Sequence, residues 1–506
     1  MGLVKIIRNW QWIILTLIFW AIALRCIPAE FCDLGGDSAQ YIILAESLSQ
    51  GKGLRMANYP GEPLSFYYPP VFPLLLYPIV RFLGRNFYAM HFLITLLGYG
   101  CLWLFYLIFK QYDKRTAFFA TGLLAANWIF ILYCTQYILS DIPYLFFSGV
   151  TLFFAQRYIK KADFLNKEGL LLISGLLLAY FTRYIGVTLF FALTLSLLIL
   201  PEKHKFKKIF FAGGVFVIAC ASWNAAKNLQ PGHTYSHFGQ LFLIDPYAPH
   251  KGSILAHPLF FITRFMEGAD YYYRMLSDIF FLSFPQVKGA LKECARGLIF
   301  GFIFFGLWRV FRKNKECVLH YYFIFYFLLI IFWPFREGVR FMAPLLPFIL
   351  FYFLSGAKET LGFIFKRFSL PAVSSLMGIF FLLTILNLRN VTSACAHNHN
   401  NLPKPFQNFI SMHRWINKNL PQDGIIISRK PTITYFYTGH KAIIYPFSLK
   451  PETIWQEVAE NKIQYILVDE FSRETYYYLL PFLRAHKGKF VLLRQIGNTG
   501  LFAMKK

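Results

Sequence analysis

The residues best suited to chemistry in this sequence are carboxylates set beside apolar runs. Asp33 and Asp37 lie in "FCDLGGDSAQYIILAESLSQGKGL", Phe31 to Leu54, directly after the first apolar segment. Ionisable groups at a membrane boundary are costly to keep there and often functional. A carboxylate so placed can take a proton as general base, or it can simply cap a helix through free backbone N–H groups. Asp141, in "ILSDIPYLFFSG", opens a later apolar segment and admits the same two readings. Glu62, in "NYPGEPLSFYYPP", has Pro/Gly/Tyr surroundings that read as the lining of a cleft, and Tyr67 and Tyr68 follow it. Those tyrosines can stack on a sugar or belong to an interfacial aromatic belt.

Three arginines complement the carboxylates: Arg183 in "FTRYIG", and Arg336 and Arg340 in "WPFREGVRFMAPLLP". A guanidinium fork matches phosphate oxygens bidentately. Arg336 and Arg340 are four apart, so on a helix they would share a face. Anchoring at the interface, or an ion pair with Glu337, are the plainer alternatives. His233, His237 and His250 fall in one long loop, and a divalent metal could use one of them with Glu62 or an aspartate. Their spacing matches no established metal motif. The eight cysteines form no CxxC pair. A Cys26–Cys32 disulfide stays open on sequence alone.

The elements that must position these groups are membrane elements. Of 506 residues, 57% are hydrophobic and only 15% charged, against about a quarter charged in soluble domains. The net charge of +26 could mean nucleic acid. The basic residues cluster between apolar runs, however, and topology explains them better. Spans are expected near 10–25, 87–109, 116–133, 141–157, 168–182, 184–200, 209–226, 296–311, 319–334, 339–356 and 369–389, eleven in all, each near the ~20 residues needed. The first is read as uncleaved, because Ala23-Leu24-Arg25 is a poor cleavage site. The stretch 69–83 is short and proline-broken and reads as re-entrant or interfacial. The Lys/Arg-rich loops 110–115, 157–167, 201–208, 309–315 and 357–367 all fall on one side. The positive-inside rule makes that side cytoplasmic, with the N terminus inside and the C terminus outside. The long loops 26–86 and 227–295, and all the candidate residues, are then outside, where Asp141 would point into the same cleft as Asp37.

After Asp37 the residues Tyr41, Leu44, Ala45 and Leu48 repeat with helical spacing, and Gly51 and Gly53 stop the pattern. Residues 1–390 are thus expected to form the membrane domain and 403–506 a soluble outer domain. In the latter, "IIIS", "KAIIYPF", "YILVDE" and "FVLLRQIG" read as strands alternating with helices, which predicts a small α/β domain with a largely parallel sheet. It carries neither GxGxxG nor a P-loop, so no nucleotide cofactor is expected. Asn390-Val391-Thr392 is a formal glycosylation sequon.

The ordered set "GGDSAQYIILAESLSQGKGL", "YYPPVFPLLLYP", "LSDIPYLFF", "LLAYFTRYIG" and "REGVRFMAPLLPFIL" resembles the GT-C glycosyltransferase superfamily. Its bacterial branch, related to protein O-mannosyltransferases and the lipid A aminoarabinose transferase, is the best match. The resemblance spans about residues 1–390. It implies a polytopic helical bundle and transfer of a sugar from a polyprenyl-phosphate carrier to an acceptor hydroxyl on the outer face. The expected location is a bacterial inner membrane facing the cell envelope. It also implies a catalytic role for Asp37, with Asp141 as the second acidic residue and Glu62 the nearest match to a metal-binding acid. Where protein mannosyltransferases carry adjacent Asp-Glu, this chain has Asp37-Ser38, a departure that counts against a protein acceptor. Nucleotide sugars do not reach the outer side, so a lipid carrier is needed there. Its phosphate would be stabilised by Arg336, Arg340 or Arg183, a carboxylate such as Asp37 would accept the hydroxyl proton, and a single displacement would invert the anomeric centre. A double displacement would need paired carboxylates about 5–5.5 Å apart. A lipid or solute transporter or flippase is the rival class, but it predicts repeated halves and mid-span charges.

Overall fold

The computed structural model describes residues 2–31, 33–161, 163–199, 204–228, 237–281, 289–313, 318–365, 384, 391 and 402–505. Most of the expected 369–389 span, Asn390 and Thr392 of the sequon, Cys32 and His233 lie outside the described residues. The chain divides into two compact units. One comprises residues 1–30, 87–233 and 262–396; the other comprises 31–86, 234–261 and 397–506.

Among the described residues the first unit is built of helices, as the apolar runs require. Its elements are Gly2–Cys26, Phe87–Phe109, Lys114–Ala126, Trp128–Thr135, Asp141–Tyr158, Lys167–Thr182, Val187–Ile199, Lys205–Asn228, Ala290–Lys313, Val318–Phe332 and Leu346–Phe365, with most of Leu259–Phe281. Among the described residues, Phe87–Phe109, Lys205–Asn228, Ala290–Lys313 and Gly338–Phe363 are long and apolar enough to cross a membrane. A fifth crossing arises if the pair Lys114–Ala126 and Trp128–Thr135 acts together. That pair differs from the straight 116–133 span read in the sequence. Asn127 ends one helix and caps the next, its side chain accepting from the Ile129 and Phe130 N–H groups, and the axis turns by 55°. Other expected spans appear as shorter apolar helices, including Tyr184–Ile199 and Val318–Phe332.

Helices in this unit meet where side chains are smallest. A Cβ on Gly306 would overlap the Tyr352 carbonyl, and one on Gly356 would overlap that of Phe302. Helices Ala290–Lys313 and Leu346–Phe365 therefore cross with their backbones in contact, which is how apolar helices gain dispersion energy inside lipid.

In the second unit the helix foreseen after Asp37 runs Asp37–Ser49, and it stops at Gly51 and Gly53, both at positive φ (72° and 75°). The 69–83 stretch is the helix Val71–Leu83, with Pro78 inside it. At about 20 Å it is too short for a hydrocarbon layer of about 30 Å, and it packs against the Asp37 helix through Tyr41 and Phe72, ring centroids 4.8 Å apart.

The C-terminal sheet consists of β1 (Ile426–Ser428), β2 (Ala442–Ile443), β3 (Tyr465–Val468), β4 (Phe490–Ile496) and β5 (Thr499–Met504), in the order β2-β1-β3-β5-β4. The helices Pro431–Thr438 and Pro451–Glu460 are the crossovers that keep β1, β2 and β3 parallel, each opening with proline, whose missing N–H costs nothing there. The expectation of a largely parallel sheet is corrected at the C terminus. Strand β5, not foreseen, pairs antiparallel with both β3 and β4. Its hairpin turns at Gly497, φ 59°. Ile427, Ile466, Val468, Leu479 and Phe482 form the core of this part. The outer edge of β2 is covered by the first loop, where the Ala442 N–H donates to the Asn58 carbonyl at 2.9 Å.

Candidate active site

Asp37 is placed by backbone geometry. Gly36, at φ 107°, turns the chain into the Asp37–Ser49 helix in a conformation that a side chain would strain. Asp33 braces the turn: its Oδ1 accepts the Gly35 N–H at 2.7 Å, and its Oδ2 accepts the Ser38 hydroxyl. Asp37, half-buried at the helix start, accepts the Tyr68 hydroxyl on Oδ1 at 3.0 Å. Tyr68 is held edge-on by Tyr41 at 5.3 Å and by Tyr67 at 5.2 Å. Burial, and then the Asp37 charge, push both phenols well above their ordinary range. They therefore stay protonated donors at any physiological pH. Gln240, from a distant segment that sequence spacing could not indicate, lies near the Tyr67 phenol and partly offsets that upward push.

Glu62 stands in a cluster of its own. It adopts φ 47° and pairs with Lys441 Nζ at 3.2 Å and Lys52 Nζ at 3.3 Å, while Arg55 Nη1 donates to its carbonyl at 3.0 Å. The hydrogen bond from Lys441 outweighs partial burial and holds its carboxyl below the ordinary range. Two ammonium groups facing one carboxylate do not make a cation site. Among the described residues no three His, Cys, Asp or Glu side chains come together. His237 opens the short helix His237–Leu241. The described residues thus do not fit a divalent metal.

The first unit holds the second cluster. Asp141 begins the helix Asp141–Tyr158 with its side chain 1% exposed, an environment that demands a partner. It has two: Arg183 Nη1 on Oδ1, and Arg340 Nε on Oδ2 at 3.3 Å. Arg183 lies where Lys167–Thr182 ends, in extended conformation (φ −150°, ψ 131°). Arg340 ends the 3-10 turn Gly338–Arg340, preceded by Gly338 at φ 59° whose N–H donates to the Tyr271 hydroxyl at 2.9 Å. Glu337 lies 3.8 Å from Arg340 Nη1. Beneath this cluster Tyr144 and Tyr322 share a hydrogen bond of 3.1 Å.

Arg336 and Arg340 do not share a helical face, because residues 333–337 are not helical. Arg336 Nη1 instead donates to the carbonyls of Ile331 at 3.0 Å and Trp333 at 3.1 Å, closing the C-terminal end of Val318–Phe332, where a cation meets the helix dipole. Its Nη2 lies 3.4 Å from the Arg264 carbonyl. Arg264, only 7% exposed and missed in the sequence, is pushed down in pKa by burial and by the Arg336 charge. The structure thus gathers Asp33, Asp37, Tyr67 and Tyr68 within one unit, and Asp141, Arg183 and Arg340 within the other.

Residues 68–225 match the family model described as dolichyl-phosphate-mannose-protein mannosyltransferase. No curated protein matches the chain. Among solved structures, ArnT from Cupriavidus metallidurans in the apo state superposes with a TM-score of 0.59 at 13% identity, covering 98% of each chain. The same protein bound to undecaprenyl phosphate gives 0.59 at 13% identity over 97% of each. The oligosaccharyltransferase AglB from Archaeoglobus fulgidus, in complex with an inhibitory peptide and a dolichol-phosphate, gives 0.58 at 13% identity over 99% of this chain and 74% of that one. Matched over residues 68–225 by that family model and nearly end to end by these structures, the chain has apolar helices long enough to cross a membrane and shares the fold of ArnT and AglB.

Proposed function

We propose that the protein transfers a sugar from a polyprenyl-phosphate carrier to an acceptor hydroxyl on the outer face of a bacterial inner membrane. The observation that carries this reading is the carboxylate of Asp37, fixed at a helix start by a glycine-dependent turn and by the Tyr68 hydroxyl. It stands in a chain with the fold of enzymes whose structures hold undecaprenyl phosphate and dolichol-phosphate. The Lys/Arg-rich loops support the orientation.

In the reaction, Asp37 takes the proton of the acceptor hydroxyl. The oxygen attacks the anomeric carbon, and the bond from that carbon to the phosphate oxygen breaks. The electron pair leaves on the polyprenyl phosphate, and the anomeric centre inverts. Arg340 and Arg183 meet the growing charge on the phosphate, and Asp141 holds their guanidinium groups in place between turnovers. General-base assistance of this kind contributes about 10²–10⁴-fold, and charge stabilisation by preorganised donors contributes on the same scale. Tyr67 and Tyr68 line the base and orient it.

The test is direct. Purified protein incubated with radiolabelled polyprenyl-phosphate sugars and a membrane extract should move label from carrier to an acceptor. Label that stays on every carrier offered, while carriers equilibrate between leaflets of proteoliposomes, would instead support a flippase.

A further inference from the structure

An open groove of about 920 Å³ lies along helices Gly2–Cys26 and Phe87–Phe109, bounded by Trp12, Leu17, Trp103 and Leu107 and ending at Lys110 and Lys114. None of these residues takes part in the proposed reaction. The floor is a built aromatic platform: Trp12 and Trp103 stack with centroids 4.4 Å apart, and Tyr106 meets Trp12 edge-on at 4.5 Å. A hydrogen bond of 2.9 Å between the Thr16 and Tyr99 hydroxyls ties the two helices together along the groove. Ile13 and Leu17 are 50% and 64% exposed, so the protein leaves this apolar wall to another apolar medium.

The mouth is cationic. Lys110 and Lys114 are both exposed, and neither has a carboxylate within ion-pair distance among the described residues. The adjacent acid, Asp113, is already engaged by Lys358 and the Thr116 hydroxyl, and it caps the Arg115 N–H at 3.2 Å. The Lys110 ammonium lies 5.7 Å from the centre of the Tyr106 ring. Gln111 is anchored by Gln156 at 2.9 Å, which fixes the mouth against the far end of the Asp141–Tyr158 helix. Gln156 is fifteen residues along from Asp141, or about 22 Å of helix, so the groove is remote from that carboxylate.

Apolar walls, a stacked tryptophan pair and, at one end, two ammonium groups with no carboxylate partner among the described residues match an amphiphile with an anionic head. We propose that this groove binds one anionic phospholipid of the cytoplasmic leaflet, with its phosphate on Lys110 and Lys114 and an acyl chain against Trp12 and Leu17. Each interfacial lysine is worth roughly fivefold in affinity for anionic lipid, and the two together roughly thirtyfold.

Native mass spectrometry of the full-length protein, equilibrated with equal amounts of phosphatidylglycerol, phosphatidylethanolamine and phosphatidylcholine of identical chains, tests this. Wild type should retain one phosphatidylglycerol. The variant K110Q/K114Q should lose that preference by roughly thirtyfold. Leu17→Trp, which fills the trough without changing charge, should exclude all three lipids. Millimolar inorganic phosphate should not displace the lipid. Equal retention of the three headgroups by wild type, an unchanged preference in K110Q/K114Q, or displacement by free phosphate would each overturn the proposal. Both variants alter exposed side chains and should melt with the wild type in neutral detergent, and transfer from the polyprenyl-phosphate donor is a separate readout.

Discussion

Asp141 shares its buried site with two guanidiniums, and that arrangement separates the roles of three arginines. Arg340→Gln removes a donor proposed to meet the carrier phosphate, a charged hydrogen bond worth about 1.5–3 kcal/mol. It should raise KM for the polyprenyl-phosphate donor at least about tenfold. Arg336→Gln removes a helix cap instead. It should lower the melting temperature and leave that KM near wild type. Steady-state kinetics on the two variants side by side would contradict the assignment if the effects were exchanged. Asp141→Asn leaves two cations poorly compensated in a site 1% exposed, and breaking such a buried pairing costs about 3–5 kcal/mol. Its loss of folded yield should be reduced by pairing it with Arg340→Gln. At this scale the sequence was informative about which residues to watch, because charges at the ends of apolar runs away from the Lys/Arg-rich loops are few. It was silent on their partners. Arg183 and Arg340 lie 42 and 199 residues from Asp141, and no local rule chooses between Arg340 and Arg336 for that contact. Their four-residue spacing pointed to a shared helical face, and the non-helical stretch 333–337 removed the basis for it.

Elements set the precision of the site. Gly36→Ala forces a side chain into φ 107° at a cost of about 1–2 kcal/mol, and it should depress transfer more than stability because the turn aims Asp37. Gly356→Leu would drive a side chain into the Phe302 backbone and should abolish folded protein in size-exclusion profiles, whereas Gly214→Leu, at a glycine with open space around it, should not. In the C-terminal part, His413 on helix Lys404–Asn419 is fully buried. One ring nitrogen lies 2.7 Å from the Phe409 carbonyl and the other 3.1 Å from the Thr434 hydroxyl. Burial lowers its pKa from 6.5 to about 4. The unfolded chain therefore binds a proton that the folded chain refuses between those values. The stability contributed by the neutral ring is intact above pH 6.5 and falls as pH drops toward 4, by at most about 3 kcal/mol. Thermal melts across that window should show the slope, and His413→Gln should flatten it. Helices here were readable because amphipathic period, N1 proline and terminal glycine agreed. Strand β5, "TGLFAM", was missed although Gly497-Asn498 is a two-residue hairpin signal. Its short apolar run looked like a tail, and only pairing with β3 makes it a strand.

For the whole molecule, the charge distribution makes the sharpest statement. Lys/Arg-rich loops on one side predict that a reporter active only outside the cytoplasm is active when fused after Met504 and inactive when fused in the 157–167 loop. The reverse pattern would invert the proposed orientation and remove Asp37 from the outer face. The membrane class and the helical bundle were legible from composition and period alone, since lipid allows few alternatives to helices. The broken axis at Asn127 was not, because an asparagine within an apolar run reads as tolerated polarity until its cap geometry is seen. Nor was the grouping of residues 31–86 and 234–261 with 397–506 in one unit, which depends on contacts such as Lys441 with Glu62, 379 residues apart. The central claim is that Asp37 is the base for transfer from a lipid-phosphate sugar. Single-turnover transfer by Asp37→Asn, measured beside binding of the same polyprenyl-phosphate donor, tests it most directly. The account predicts a rate at least about 10²-fold below wild type with donor affinity within a few-fold. Wild-type turnover in that variant, or loss of donor binding with the remaining rate unchanged, would contradict it.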